Sequence, residues 1–287
     1  MNQNPFLKEW KGLEAAAPRP QFARNIIQMD FKELEEKVVS SDPETVKQLT
    51  ESLYSGDAYI LKKTFPKDFF DELKAWVYNY WMSTPSSFHK ILEGCPNFHR
   101  LIDDETAKHY AFKSIRRSCY FFSWNDAPLN MLEIIYSRWR VFKYIGGLSF
   151  DEYVRHTPKD GVVDRFQVAQ YPTGGAGLSE THADPYINQR LIMSGYMSKR
   201  GEDYEQGGFY VVDKNKITID METIIDIGDF GISYATVLHG VAPVDPHKKE
   251  VEWNKTSGRW WLGLYSIDSN EIQNRHTGHA VNVNDLK

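Results

Sequence analysis

The segment LSETHADPYINQR, residues 178–190, places His182 two positions before Asp184, just after a glycine-rich turn. Side chains at i and i+2 of a strand project from the same face, so an imidazole and a carboxylate at this spacing can aim at one point. A third candidate ligand is His239, embedded in the apolar run TVLHGVAPV, where a histidine needs a polar partner. Several strands can go out and return between His182 and His239. Two imidazoles and one carboxylate on one face of an octahedron suit ferrous iron and leave three positions open for further ligands. His-x-Asp alone is a weak signal, and a lone buried histidine is more often hydrogen-bonded core. The three residues carry weight only together.

These residues need a rigid scaffold. After Gly161, short runs rich in β-branched and aromatic residues follow one another: DRFQVAQY, RLIMSGYMS, GGFYVVD, ITID, GDFGISYATVLHGVAPV and RWWLGLYS. Glycines and polar turns separate them, which indicates an antiparallel all-β unit, a sandwich or jelly roll. The part before it reads as mostly helical. One helix runs from an N-cap at Asp42 to a stop at Gly56, a second starts near Pro66, and a third, in APLNMLEIIYSRWRVFKYI, ends at Gly146-Gly147. DAYILKK between the first two reads as a short strand, while residues 97–125 fit no pattern. The expected class is α+β with a mainly β core: a single catalytic domain over 1–287, mostly helical over 1–160, β over 161–268, with a tail over 269–287.

Composition narrows the function. The chain has 287 residues, 41% hydrophobic and 25% charged, within the range of globular proteins, and its net charge of −5 gives no electrostatic reason to expect nucleic acid or an anionic membrane as partner. Its two cysteines, Cys95 and Cys119, argue against a disulfide framework and a cysteine zinc site. The opening MNQNPFLKEWKGLEAAAPRP lacks an apolar signal-type core, and no later stretch is apolar enough to span a bilayer, so a cytoplasmic location is expected. Aromatics reach 14%; most should build the core, and some should line a pocket for a flat or partly apolar ligand.

Taken in order, the β segments resemble the 2-oxoglutarate/Fe(II)-dependent dioxygenases, most closely the prolyl-hydroxylase-like branch. The matching pieces are QVAQYPTGGAGLSETHAD, an Arg-led strand RLIMSGYMS, a Gly-Gly strand QGGFYVV, GDFGISYATVLHGVAPV, and GRWWLGLYS with Arg259. Together they cover about residues 164–266, and LYSGDAYILKKTFPKDFFDELK looks like the family's N-terminal strand and helix. The resemblance implies a double-stranded β-helix that binds Fe(II) through His182, Asp184 and His239 and uses 2-oxoglutarate and O2 as cosubstrates. It implies hydroxylation of an unactivated C–H bond, with release of succinate and CO2, and a cationic residue for the distal carboxylate of 2-oxoglutarate. Arg259 fits that role, because a guanidinium in a rigid strand makes a two-pronged pair with a carboxylate. Tyr171 and Gln167 share a strand face and could add hydrogen bonds to cosubstrate or substrate, or serve as ordinary barrel lining. Asp184 argues against the halogenating members, which carry a small residue there.

The expected substrate is a small metabolite. Peptide or protein side chains, and desaturation or cyclisation of a natural-product intermediate, are the alternatives; a cupin-like metal-binding module or a non-catalytic binding protein is the non-enzymatic rival. Residues 80–160 match no part of the family and are expected to shape specificity, with some of Tyr120, Phe121, Phe122 and Trp124 bordering the pocket. Lys248 and Lys249 are expected to be solvated in a polar loop, and Gly174–Gly177 to form a flexible turn. Arg190 could contact a ligand or close a strand-end salt bridge. Cys95 with His99 reads as structural, and His276 with His279 as tail.

Overall fold

The computed structural model describes residues 4–286. The first part contains α1 (Pro5–Ala16), β1 (Ile26–Asp30), α2 (Phe31–Ser40), α3 (Pro43–Tyr54), β2 (Ala58–Lys62) and α4 (Lys67–Ser83). It continues with β3 (Phe98–Ile102), a one-turn α5 (Asp104–Ala107), β4 (Ser114–Phe122) and α6 (Met131–Ile145). The second part is β5 (Val162–Tyr171), β6 (Leu178–Ala183), β7 (Leu191–Tyr196), β8 (Gly208–Val212), β9 (Thr218–Asp220), β10 (Phe230–Tyr234), β11 (His239–Ala242), β12 (Arg259–Asp268) and β13 (His279–Ala280).

One hydrogen-bonded path runs β1-β2-β10-β7-β12-β5-β4-β6-β11-β8-β9. From β5 to β12 the chain alternates between the two halves of that path, apart from the β8–β9 hairpin, which stays on one of them. β5, β7, β10 and β12 lie together on one side, and β6, β8, β9 and β11 on the other, with every pairing within each group antiparallel. That alternation makes a jelly roll, the double-stranded β-helix. β4 closes one edge: Ser114 and Ile115 pair with β6, while Arg117–Phe122 pair with β5. The N-terminal half is helical as expected, with α1 to α6 packed round the β core, and it also contributes strands. Four of its strands extend the core sheet, and the unassigned stretch 97–125 holds two of them, β3 and β4.

Period-two alternation assigns the two faces. Trp260, Leu262 and Leu264 of β12 and Phe166 and Val168 of β5 pack toward the helices, all fully buried. Trp260 stacks on Trp81 of α4 with centroids 4.8 Å apart, and Phe142 of α6 stacks on Phe230 of β10 at the same separation. Such pairs add about 0.5–1.5 kcal/mol each beyond the area they bury. The opposite alternation, Arg259, Trp261 and Tyr265 of β12 with Arg165, Gln167 and Tyr171 of β5, lines a cavity. The tail also has structure: β13 pairs with β6, setting Ala280 opposite His182.

Candidate metal centre and cavity

His182 and His239 are direct cross-strand partners on β6 and β11, with ring centroids 4.2 Å apart. Asp184 follows the end of β6 and brings Oδ2 to 4.0 Å from His239 Nε2. One candidate ligand atom from each of the three lies within 4.8 Å of the others. The close approach depends on Gly240, where a Cβ would sit 2.4 Å from the Tyr210 hydroxyl and 2.8 Å from the Ser179 carbonyl.

The imidazoles are held in one tautomer. His182 Nδ1 lies 2.7 Å from the Glu180 carbonyl, and His239 Nδ1 lies 2.9 Å from that of Val237. A carbonyl only accepts, so each Nδ1 carries the hydrogen and each Nε2 keeps its lone pair for a ligand. Burial pushes the His182 pKa well below the ordinary value, and His239 and Arg116 push the same way. Its ring is thus neutral at pH 7, and Phe112 stacks on it at 4.1 Å. Burial raises the Asp184 pKa, while His239, Arg165 and Arg116 act against that rise. The Asp184 carboxylate accepts no hydrogen bond from the described residues. Two lone pairs and a carboxylate with no hydrogen-bond donor among the described residues, converging on one point, fit a divalent cation.

The cavity beside this cluster has a volume of about 360 Å³. On its floor Arg259 is the antiparallel partner of Tyr171, and Gly263 of Gln167. Arg259 is 2% exposed, and its Nε donates to Glu222 Oε1 at 2.6 Å. Glu222 also accepts from the Phe209 amide at 2.6 Å and the Tyr204 hydroxyl at 2.5 Å. Burial would lower the Arg259 pKa, but Glu222 above all reverses this and raises it. With Nε engaged, no hydrogen bond from either Nη to a described residue competes for the guanidinium edge. Gln167 lies farther along the same face, where its Nε2 donates to Ser118 Oγ at 3.1 Å and its Oε1 accepts from Arg165 Nη2 at 3.1 Å.

All six residues expected at the site, His182, Asp184, His239, Arg259, Tyr171 and Gln167, line this cavity. Of the four aromatics expected at its border only Tyr120 does so. Phe121 faces the helices, and Phe122 and Trp124 stack in a separate cluster. His109, Tyr110 and Phe112 supply the remaining rings or ring-like walls from the 80–160 segment. Arg190 pairs with Glu14 at 2.8 Å, and Lys248 with Asp245 at 2.9 Å, both outside the lining. His99 Nε2 bonds the Thr84 carbonyl, and burial drives the Cys95 thiol up to about 11, consistent with structural roles. His276, expected in a patternless tail, instead lines the cavity and bonds Asp268 at 2.7 Å. Sequence reasoning missed Glu222, Arg116, Arg165 and Arg275. The strand alternation that marks Gln167 and Tyr171 also marks Arg165, whereas Glu222 carries no local signal.

No protein-family model matches the chain, and a comparison with curated proteins also finds no match. Among solved structures, a Pseudomonas putida prolyl-4-hydroxylase is similar at TM-score 0.45 and 11% identity, covering 81% of this chain and 97% of that one. A full-length Neurospora crassa protein in complex with alpha-KG and thymine is similar at TM-score 0.49 and 14% identity, covering 90% and 89%. A Burkholderia pseudomallei oxidoreductase of the 2OG-Fe(II) oxygenase family is similar at TM-score 0.44 and 11% identity, covering 92% and 100%. At these scores the likenesses carry no weight for activity, and what the site can do follows from its own side chains.

Proposed function

We propose that this chain is an Fe(II)- and 2-oxoglutarate-dependent oxygenase that hydroxylates an unactivated C–H bond of a small molecule. The observation that carries this reading is the convergence of His182, Asp184 and His239 on the inner face of a jelly roll, with both Nε2 atoms free and an arginine in the same cavity. When bound, iron with 2-oxoglutarate and O2 supplies the oxidising power, coupling release of succinate and CO2 to oxidation of the C–H bond.

The chain's own residues do the positioning. His182 and His239 present neutral nitrogens in fixed directions, and Asp184 adds the one negative charge. These three residues would hold an iron ion, and a three-ligand set of this kind would leave it room for the cosubstrates. Arg259 offers its Nη edge to the distal carboxylate of 2-oxoglutarate, beside Tyr171, and Glu222 holds that fork in place from behind. Phe209 and Trp261 contribute apolar walls that keep water away. A cavity of about 360 Å³ lies near the small end of ligand pockets, which favours a small molecule over a protein side chain. A cupin-like metal module has no use for Arg259, so the arginine favours the oxygenase.

The test is anaerobic titration of the purified protein with Fe(II) and then 2-oxoglutarate, followed by its visible charge-transfer band, with 2-oxoglutarate consumption measured after oxygen is admitted. One iron per chain and a band dependent on 2-oxoglutarate are expected, and both should be lost in His182→Ala and His239→Ala. Full iron occupancy in both variants would remove the triad, and absence of the band in the native protein would remove the cosubstrate.

A further inference from the structure

The cavity holds more positive charge than iron and 2-oxoglutarate can use. Four guanidiniums line it, Arg116, Arg165, Arg259 and Arg275, and Asp184 is the one carboxylate among the lining residues. Glu222 neutralises Arg259 from behind. A divalent cation, Asp184 and a doubly ionised 2-oxoglutarate sum to about one negative charge, and Asp268, whose charge acts on Arg275, supplies another, which leaves Arg116, Arg165 and Arg275 with a surplus of about one positive charge. These three arginines are half-buried, and charges partly withdrawn from water without ion-pair partners are costly, so a site that keeps them has a use for them.

Arg116 and Arg165 are built to act together. Arg116 Nε donates to Ser118 Oγ at 3.2 Å, Gln167 Nε2 donates to the same oxygen at 3.1 Å, and Arg165 Nη2 donates to Gln167 Oε1 at 3.1 Å. This chain of neutral groups orients both guanidiniums and cancels neither charge. Arg165 is further held near the Tyr120 and Tyr265 rings, at 5.3 and 4.9 Å, and its Nε is buried without a partner. Arg116 Nη1 is also engaged, by Ser114 Oγ, so the donors open to a planar oxyanion are Arg116 Nη2 and the Arg165 Nη edge. Arg259 is separate from the pair, because it starts β12 opposite Tyr171 and faces Glu222.

We propose that the substrate is a small organic acid whose carboxylate is held by Arg116 and Arg165, with its apolar body against Phe112, Tyr120 and Tyr265 beside the metal centre. The proposal rests on the oxygenase reading and deepens it. The experiment is calorimetric titration of the Fe(II)-loaded protein, saturated with 2-oxoglutarate and free of oxygen. The probes are 3-phenylpropanoate, hexanoate and octanoate, each measured against its own amide.

At least one acid should bind tenfold or more tightly than its amide, with the charge-transfer band retained. R165Q and R116Q should each lose at least tenfold of that affinity while keeping the band. R165K, which preserves the charge without the fork, should recover part of the loss and guards against a misfolded glutamine variant. Acids binding no better than amides would overturn the proposal, as would unchanged affinity in both glutamine variants. Displacement of 2-oxoglutarate by the acid would also overturn it, since the pair would then serve the cosubstrate. If the band never forms, the oxygenase reading fails instead, and the acid–amide difference on the iron-free protein still decides whether these arginines form an anion site.

Discussion

Glu222 and Arg259 form a buried ion pair, with 1% and 3% of their side-chain surface exposed. This pair sets up the most informative perturbation. Glu222→Gln keeps the shape and one acceptor for the Phe209 amide but removes the charge that holds Arg259. Breaking a buried pair on one side costs about 3–5 kcal/mol, because the remaining ion is left uncompensated. For a domain of this size each kcal/mol corresponds to about 2–4 °C, so the melting temperature should fall by roughly 6–20 °C.

The same change frees Arg259 to interact with a ligand carboxylate at full charge. The variant should therefore bind 2-oxoglutarate more tightly than the native protein, and saturating 2-oxoglutarate should restore more of its melting temperature than it adds to the native one. Arg259→Ala should do the reverse for binding. Loss of a desolvated, charge-assisted pair costs about 2–5 kcal/mol, or tens- to thousands-fold in the affinity for 2-oxoglutarate, with iron affinity nearly unchanged. Scanning fluorimetry with and without 2-oxoglutarate, together with calorimetry, reads all of these quantities. If Glu222→Gln melted like the native protein, or if 2-oxoglutarate stabilised both equally, Arg259 would not be the residue that meets the cosubstrate.

Three further outcomes follow from the packing. Gly240→Ala should weaken Fe(II) binding and stability together, as its Cβ would lie 2.4 Å from the Tyr210 hydroxyl beside His239; metal titration and a thermal melt check this. Asp164→Asn should destabilise by about 3–5 kcal/mol in denaturant unfolding by stranding the buried Lys143 ammonium, whereas the paired change with Lys143→Met should recover much of that loss. Burial raises the Asp57 pKa, but bonds from Arg24, Ser52 and Asn25 outweigh it, and the net value lies below the ordinary 3.8. A depressed folded pKa contributes stability above pH 3.8 that fades as pH falls toward the folded value, so the stability gap between the native protein and Asp57→Asn should be full at pH 6 and shrink below pH 3.8.

Much of this architecture was legible because local chemistry and tertiary role agree. Asp42 caps α3 by accepting from the Thr45 amide, and the alternating runs after Gly161 become β5 to β12. Besides the one-turn α5, two helices carry no local signal for physical reasons. α1 begins at Pro5, where Asn4 caps it in a stretch read only for signal content. α2 begins at the residue after β1, with Asp30 ending the strand and capping the helix, so no loop punctuates the change. β4 was obscured because one alternation, Arg116, Ser118 and Tyr120, faces the cavity while the other, Arg117, Cys119 and Phe121, meets the helices or their rim.

The missed site residues are instructive in the same way. DRFQVAQY alternates polar and apolar like any half-solvated strand. Its apolar alternation, however, is covered by helices, and its polar alternation is almost as deeply enclosed, Gln167 and Tyr171 being 2% and 3% exposed. A strand buried on both faces should read as continuously apolar. When one of its faces instead carries Arg165, Gln167 and Tyr171, those side chains must answer to one another or to a ligand. Gln167 is answered by Ser118 and Arg165. For the Arg165 charge no described carboxylate lies within ion-pair distance, and its buried Nε has no partner, which is the opening that the proposed substrate acid would fill.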